Sequence, residues 1–183
     1  MSAITPVLLR LVLLGILGAV PIAAAKTPGE VEVGHSLREA TLRGLNGPNR
    51  KLSEFRRKPL IINVWASWCG PCRAEMASLE RLAWLDPSAG FAVIGVSTDD
   101  DFNAARAFLL SSHATISQFI DKDLIMENML GASKLPLTVL VDADGRVLDK
   151  IFGAREWDSP EALRLIHNAF RRQSSASAAR SGP

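Results

Sequence analysis

Three near-continuous apolar runs along the chain predict the strands of a buried sheet. They occupy residues 60–65, 91–97 and 136–141. A strand that is buried on both faces loses the alternation of apolar and polar residues, so runs of this kind are typical of the centre of a sheet covered by helices. Two shorter strand-like segments within 41–52 flank a turn rich in Gly, Asn and Pro, which predicts an N-terminal β-hairpin.

Between these runs, apolar residues recur every three or four positions, as they do on the buried face of a helix. After residue 72 the stripe is Met76, Leu79 and Leu82, and a second helix is predicted over 102–110. The last helix starts at Pro160, a residue favoured in the first helical turn. This alternation of strands and helices predicts a mostly parallel sheet, with a hairpin around residue 145 adding antiparallel strands at one edge.

The N-terminal segment has a different composition from the rest of the chain. Arg10 precedes an unbroken apolar run, and small residues stand at Ala23 and Ala25. This pattern predicts a secretory signal peptide over 1–25, cleaved after Ala25. The alternative is an uncleaved membrane anchor, but the uncharged stretch 11–25 has 15 residues, fewer than the roughly 20 that span a bilayer. Cleavage is therefore the favoured interpretation.

The remaining chain has the composition of one globular domain. Of all 183 residues, 48% are hydrophobic and 22% are charged, which is ordinary for such a domain. We expect a linker at 26–32, one α/β domain at 33–171 and a disordered tail at 172–183, which is rich in Ser and Ala. The net charge is +2 without a concentrated basic patch, so a nucleic-acid partner is not expected.

The chain has only two cysteines, Cys69 and Cys72, placed between a predicted strand and a predicted helix. A bridge across so short a loop constrains little of the unfolded chain and adds little stability, so a purely structural role explains the pair poorly. A Cys-x-x-Cys pair also occurs in metal sites. However, His35, His113 and His167 are scattered and none has metal-ligand spacing to the cysteines. No metal is therefore expected.

The cysteine segment resembles a known family. Residues 65–76, WASWCGPCRAEM, are similar to the active-site segment of the thioredoxin superfamily, and more closely to that of the exported TlpA/ResA-type (DsbE-like) thiol–disulfide oxidoreductases. Residues 134–142, KLPLTVLVD, resemble the cis-proline loop and the strand that follows it. The resemblance implies an α/β thioredoxin fold with an N-terminal β-hairpin and a central insertion, in which a mixed sheet is flanked by helices.

The resemblance implies that Cys69 and Cys72 form a redox-active disulfide. Cys69 would stand just before a helix, where free N–H groups and the helix dipole favour a thiolate. Cys72 would resolve the mixed disulfide that Cys69 forms. Gly70 and Pro71 between them resemble the spacer of reducing thioredoxins, whose potentials lie near about −270 mV, so a reductant is favoured.

Four further residues have supporting roles in this interpretation. Trp68 either shields one side of the disulfide or only packs. Pro136 would be cis and would place the Leu135 backbone beside the sulfurs, where it can pair with an extended substrate chain. Glu75 is either a solvent-facing helix residue or a partly buried acid that exchanges protons with Cys72. The strand residue before the motif is Asn63, where cytosolic relatives usually carry an aspartate.

The resemblance further implies an exported enzyme that reduces protein disulfides in the periplasm, for example in cytochrome c maturation or copper-site assembly. Its partners would be protein thiols or disulfides and a membrane thiol donor of the DsbD/CcdA type. It would act as a monomer without a cofactor, and would contact the membrane only if the N-terminal segment stays uncleaved. A thiol oxidase or isomerase and a metallochaperone remain alternatives, whereas a peroxidase would require a threonine at Ala66.

Overall fold

The fold comes from a computed structural model that describes residues 27–85 and 90–180, with side chains described as far as residue 171. The predicted signal peptide therefore lies outside the described residues. The strands are β1 Thr41–Gly44, β2 Arg50–Lys51, β3 Leu60–Trp65, β4 Ala92–Ser97, β5 Ser117–Ile120, β6 Leu137–Val141 and β7 Val147–Phe152. The α-helices are α1 Gly70–Leu85, α2 Phe102–Ser112, α3 Ile125–Leu130 and α4 Pro160–Arg180, and a short 3₁₀ helix covers Leu52–Phe55.

The seven strands form one mixed sheet in the order β2-β1-β5-β4-β3-β6-β7. Only the β3–β4 and β4–β5 pairs are parallel, and the other four are antiparallel. The mixed α/β thioredoxin fold is confirmed, but the expected mostly parallel sheet is wrong. A parallel strand needs a connection that returns the chain to the same end of the sheet. The segment after β5 does not return, so β6 starts at the carboxyl end of β3, where Leu137 pairs with Val64.

Strand β3 forms the centre of the core and carries the site at its carboxyl end. All six of its residues are buried. Because successive side chains point to opposite faces, Ile61 packs with Leu79 of α1 and Ile166 of α4. Ile62 belongs to the cluster on the opposite face, which includes Phe119 of β5. With both faces covered, β3 holds the start of α1 in a fixed position.

Described structure continues on both sides of residues 33–171. In the segment expected to be a linker, Val31 is buried and its N–H donates to the Met129 carbonyl. Helix α4 continues to Arg180, past residue 171, because the Ser, Ala and Arg residues there allow a helix and no Gly or Pro interrupts it before Gly182. Within the described residues, no helix has the length and apolar character that crossing a membrane requires.

Candidate active site

The two cysteines form a disulfide at the N-terminus of α1. Cys69 immediately precedes the helix and Cys72 lies in its first turn. The Cys72 N–H donates to the Cys69 sulfur at 3.2 Å. Cys69 is 6% exposed and Cys72 is 0% exposed. Of the two residues, only Cys69 keeps any exposed surface, and it also lies where the free N–H groups of a helix start stabilise negative charge.

The loop between β3 and α1 is fastened by a buried carboxylate. Asp99 follows β4, and its two oxygens accept hydrogen bonds from the Ser67 N–H at 2.8 Å and the Ser67 hydroxyl at 2.7 Å. The Ser97 hydroxyl donates to the same carboxylate at 2.6 Å. These contacts hold the residue two positions before Cys69. Trp68, which follows, is 72% exposed, so its ring is available for contact rather than packed in the core.

The proline loop lies beside the disulfide. The Leu135–Pro136 peptide bond is cis, as the resemblance implied. Together with the cysteine segment, this loop lines an open groove. The groove residues are Trp68, Cys69, Gly70, Pro71, Thr98, Glu127, Ala132, Ser133 and Leu135. Five of the eight residues predicted for the site thus share one surface, and Pro136 is buried behind it.

Glu127 is the charged residue of this groove, and the sequence interpretation did not select it. It lies on α3 and is partly buried. Burial, and then the nearby carboxylates of Asp121 and Asp100, raise the pKa of the Glu127 carboxyl. A spacing argument could not have found this residue, because 55 positions separate it from Cys72 and only the folded chain brings α3 to the groove.

Glu75 lies inside the protein, so the solvent-facing alternative is wrong. Its residue is 2% exposed. One carboxylate oxygen accepts a hydrogen bond from the Asn63 side-chain amide at 2.7 Å, and the other accepts from the Trp157 indole N–H at 2.9 Å and the Arg155 N–H at 3.1 Å. Burial raises the pKa of the Glu75 carboxyl, and these three donors oppose that rise. Its proposed proton exchange with Cys72 stays a prediction.

The sequence contained no signal for Trp157 as a neighbour of the site. Its indole reaches Glu75 from the loop between β7 and α4, 82 positions along the chain. Asp99 likewise had no sequence signal as a part of the site, and the residue that caps α2 is Asp101, which accepts from the Asn103 N–H. Among the described residues, no group of three or more His, Cys, Asp or Glu side chains is arranged to hold a metal ion.

Comparison with known proteins agrees with this geometry. The model of the Redoxin family matches residues 32–166. The thiol-disulfide oxidoreductase ResA of Bacillus thuringiensis subsp. konkukian is 28% identical over 148 residues, which cover 80% of this chain and 86% of that protein. The thiol:disulfide interchange protein DsbE of Pseudomonas fluorescens biotype C is 35% identical over 102 residues, 55% of each chain.

The fold also matches solved structures. The crystal structure of a protein assigned as a thiol:disulfide interchange protein DsbE from Chlorobium tepidum superposes with a TM-score of 0.70 at 27% sequence identity. The match covers 76% of this chain and 98% of that one. The remainder of this chain therefore lies outside the part that the two proteins share.

Proposed function

This chain belongs to the Redoxin family, is a thiol–disulfide oxidoreductase and, we propose, reduces protein disulfides through Cys69 and Cys72. The observation that carries the proposal is the unequal placement of the two cysteines at the start of α1, where Cys69 lines the groove and Cys72 is fully buried. Cys69 can react with a substrate, while Cys72 stays buried and resolves the mixed disulfide. The spacer Gly70–Pro71 favours the reducing direction, as it does in reducing thioredoxins.

The exchange takes place in two steps that together transfer two electrons to the substrate. The Cys69 thiolate attacks one sulfur of a substrate disulfide, forming a mixed disulfide and releasing the first substrate thiolate. The Cys72 thiolate then attacks the Cys69 sulfur and releases the second substrate thiolate. The product is the Cys69–Cys72 disulfide, which is the state found in the structure. A thiol donor must reduce it before another cycle.

The groove suits an extended polypeptide substrate. Trp68 presents an exposed ring next to Cys69, and Leu135, which precedes the cis Pro136, lines the same groove. Backbone groups at this position can pair with a substrate strand, and the tryptophan supplies apolar contact area. The substrate class that follows is a protein disulfide.

Glu75 supplies the proton acceptor in this proposal. It lies three positions after Cys72, which places both side chains on the same side of α1. Burial raises the pKa of this carboxyl, bringing its proton affinity closer to that of a thiol. The Glu75 carboxylate can therefore accept the Cys72 proton when that sulfur becomes the attacking group.

The setting of the reaction is proposed from the sequence and from the names of the relatives. The segment 1–25 has the pattern of an export signal, so we place the enzyme in the periplasm as a monomer. Its substrates would then be the disulfides of apocytochrome c or of copper-site assembly proteins, and its reductant would be a membrane thiol donor of the DsbD/CcdA type. The alternative in the same compartment is a thiol oxidase or isomerase.

Two measurements test the proposal. Equilibration of the Cys69–Cys72 couple against glutathione or dithiothreitol should give a reduction potential of about −270 mV. A potential of about −120 mV would assign the protein as an oxidant. The variant Cys72→Ser should accumulate mixed disulfides with partner proteins in periplasmic extracts, whereas the matched control Cys69→Ser should accumulate none. Failure of Cys72→Ser to trap any partner would contradict the exchange role.

A further inference from the structure

Three separate elements converge on the Glu75 carboxylate. Strand β3 contributes the Asn63 amide, α1 carries Glu75 itself, and the loop between β7 and α4 contributes Trp157 and Arg155. The three donor distances lie between 2.7 and 3.1 Å. All three groups are N–H donors, and three such donors satisfy a carboxylate better than a neutral carboxylic acid, which must itself donate a proton.

No cation takes part in this arrangement within the described residues. Arg155 contacts Glu75 only through its backbone, and its guanidinium faces Glu161 at 3.7 Å. Arg81, further along α1, pairs with Asp158 and Glu156 on the outside of the same loop. Asn63 of β3 and the two loop donors face the Glu75 oxygens, and Cys72 lies three positions earlier on the same helix. Dipoles, not charges, therefore stabilise the buried carboxylate.

The loop that presents Trp157 is held at a second point. The Ser78 hydroxyl, one turn after Glu75, lies 3.2 Å from the Arg155 carbonyl and accepts from the Trp157 N–H at 3.0 Å. The Trp157 side chain is fully buried, so its indole N–H has no solvent to bond instead. The loop contacts with Ser78 therefore fix the orientation of the Trp157 indole N–H, whether Glu75 is protonated or not.

We infer that Trp157 is a positioning residue for thiol–disulfide exchange, whose indole N–H keeps Glu75 in the anionic form that accepts the proton of the Cys72 thiol. The inference rests on the proposed function. In the resolving step, the Cys72 S–H gives its proton to the Glu75 carboxylate, the new thiolate bonds to the Cys69 sulfur, and the Cys69–substrate bond breaks. The departing substrate thiolate carries the electron pair, and Glu75 later returns its proton to solvent or to that thiolate.

Removing this one donor should have a defined effect. Trp157→Phe keeps an aromatic ring at this buried position, although a smaller one, and removes the bond to the Glu75 oxygen. Because the bond stabilises the carboxylate and not the acid, the pKa of Glu75 should rise, with proton affinity increasing by about tenfold or more for a lost hydrogen bond to a charged group. The pH dependence of the resolving step should move to higher pH by a corresponding amount.

The test uses the oxidised protein, in which neither cysteine can titrate. Carboxyl ¹³C resonances report the Glu75 titration in the wild type and in Trp157→Phe. In the wild type the indole ¹H–¹⁵N resonance of Trp157 should move with the same midpoint as Glu75. The indole of Trp65, which is buried and donates to the neutral Gln118 amide at 2.9 Å, is the internal control and should not follow that midpoint.

The outcomes separate this inference from the proposed function. A matched midpoint for the Trp157 indole and Glu75, with a higher Glu75 pKa in Trp157→Phe, supports it. A Trp157 indole that ignores the Glu75 titration overturns it even if the variant does not fold, and so does an unchanged Glu75 pKa in a folded variant. Trapping by Cys72→Ser does not depend on Trp157, so the exchange reaction stands or fails on its own result.

Discussion

At the scale of single residues, Glu75 and Asn63 show how a buried acid can be tolerated. The Asn63 amide nitrogen donates both to Glu75 and to the Thr138 hydroxyl, whereas its oxygen is buried without a hydrogen-bond partner in the structure. A turn of the amide by half a rotation would present that oxygen to Glu75. Asn63 can therefore serve a carboxylate in one orientation and a protonated acid in the other, which an aspartate could not do without adding a charge.

Glu75→Gln should change how the stability of the oxidised protein depends on pH. Burial raises the pKa of Glu75 in the folded state above its unfolded value. The stability that Glu75 contributes is therefore fully present below the unfolded pKa and is lost as pH rises through the folded pKa. The free energy of unfolding of the wild type, minus that of Glu75→Gln, should fall over this window by about 1.4 kcal/mol for each tenfold difference in proton affinity.

Urea unfolding of both oxidised proteins at a series of pH values measures this difference. Glutamine keeps the shape of the side chain, and a turned Asn63 amide can accept from its NH₂ group. The control is Glu161→Gln, which makes the same substitution at a glutamate whose side chain is 80% exposed. A difference between wild type and Glu75→Gln that is flat, or that grows with pH, would contradict the buried-acid assignment.

At the scale of elements, the loop between β3 and α1 depends on Asp99 at the end of β4. The Asp99 carboxylate accepts from the N–H and hydroxyl of Ser67 and from the Ser97 hydroxyl. Parallel pairing of β3 with β4 matches Trp65 to Ser97, so the two loops leave the sheet side by side. The position of Cys69 thus depends on a contact between two loops as well as on its own helix.

Asp99→Asn should loosen this loop. Asparagine keeps one of the two acceptor oxygens, so at most two of the three donors keep it as a partner and a serine hydroxyl must turn to accept from the NH₂ group instead, at a cost of about 1 kcal/mol in the free energy of unfolding. Hydrogen exchange of the Ser67 amide, which now donates to Asp99 at 2.8 Å, should accelerate. The matched control is Asp100→Asn, an exposed neighbour expected to change stability by less than about 0.5 kcal/mol. Equal effects of the two variants would remove the anchoring role.

The elements themselves were largely predictable, whereas their directions were not. The apolar run at 60–65 and the stripe after residue 72 correspond to β3 and α1, because burial of a face imposes its own period on the sequence. The direction of β6 is a different matter. It depends on whether the connection after β5 brings the chain back to the opposite end of the sheet. No local sequence pattern encodes the path of that connection. The wrong prediction of a mostly parallel sheet follows from this difference.

At the scale of the whole molecule, the site combines local and long-range parts. Cys69, Cys72 and Pro71 were predictable because the motif is contiguous, and Leu135–Pro136 because the loop resembles that of the family. Trp157 and Asp99 were not selected as parts of the site, because their contacts with Glu75 and Ser67 join positions 82 and 32 residues apart. Such pairs exist only after the sheet has formed. A single sequence therefore reveals the contiguous cysteine motif, and only the fold reveals the distant residues that contact its neighbours.

The stability of the whole fold should therefore depend on the redox state of two sulfur atoms. If the protein is a reductant, its folded state favours the disulfide, so the oxidised protein must be harder to unfold than the reduced one. By linkage, each 30 mV between the potentials of the folded and unfolded couples appears as about 1.4 kcal/mol in that difference. Chain entropy adds little, because the loop closed by Cys69 and Cys72 is so short.

Urea unfolding with and without excess dithiothreitol measures this difference in stability. The control is Cys69→Ser, which cannot form the bridge and should unfold identically under both conditions. A reduced form more stable than the oxidised one would assign the protein as an oxidant, since strong oxidants of this kind stabilise their reduced state.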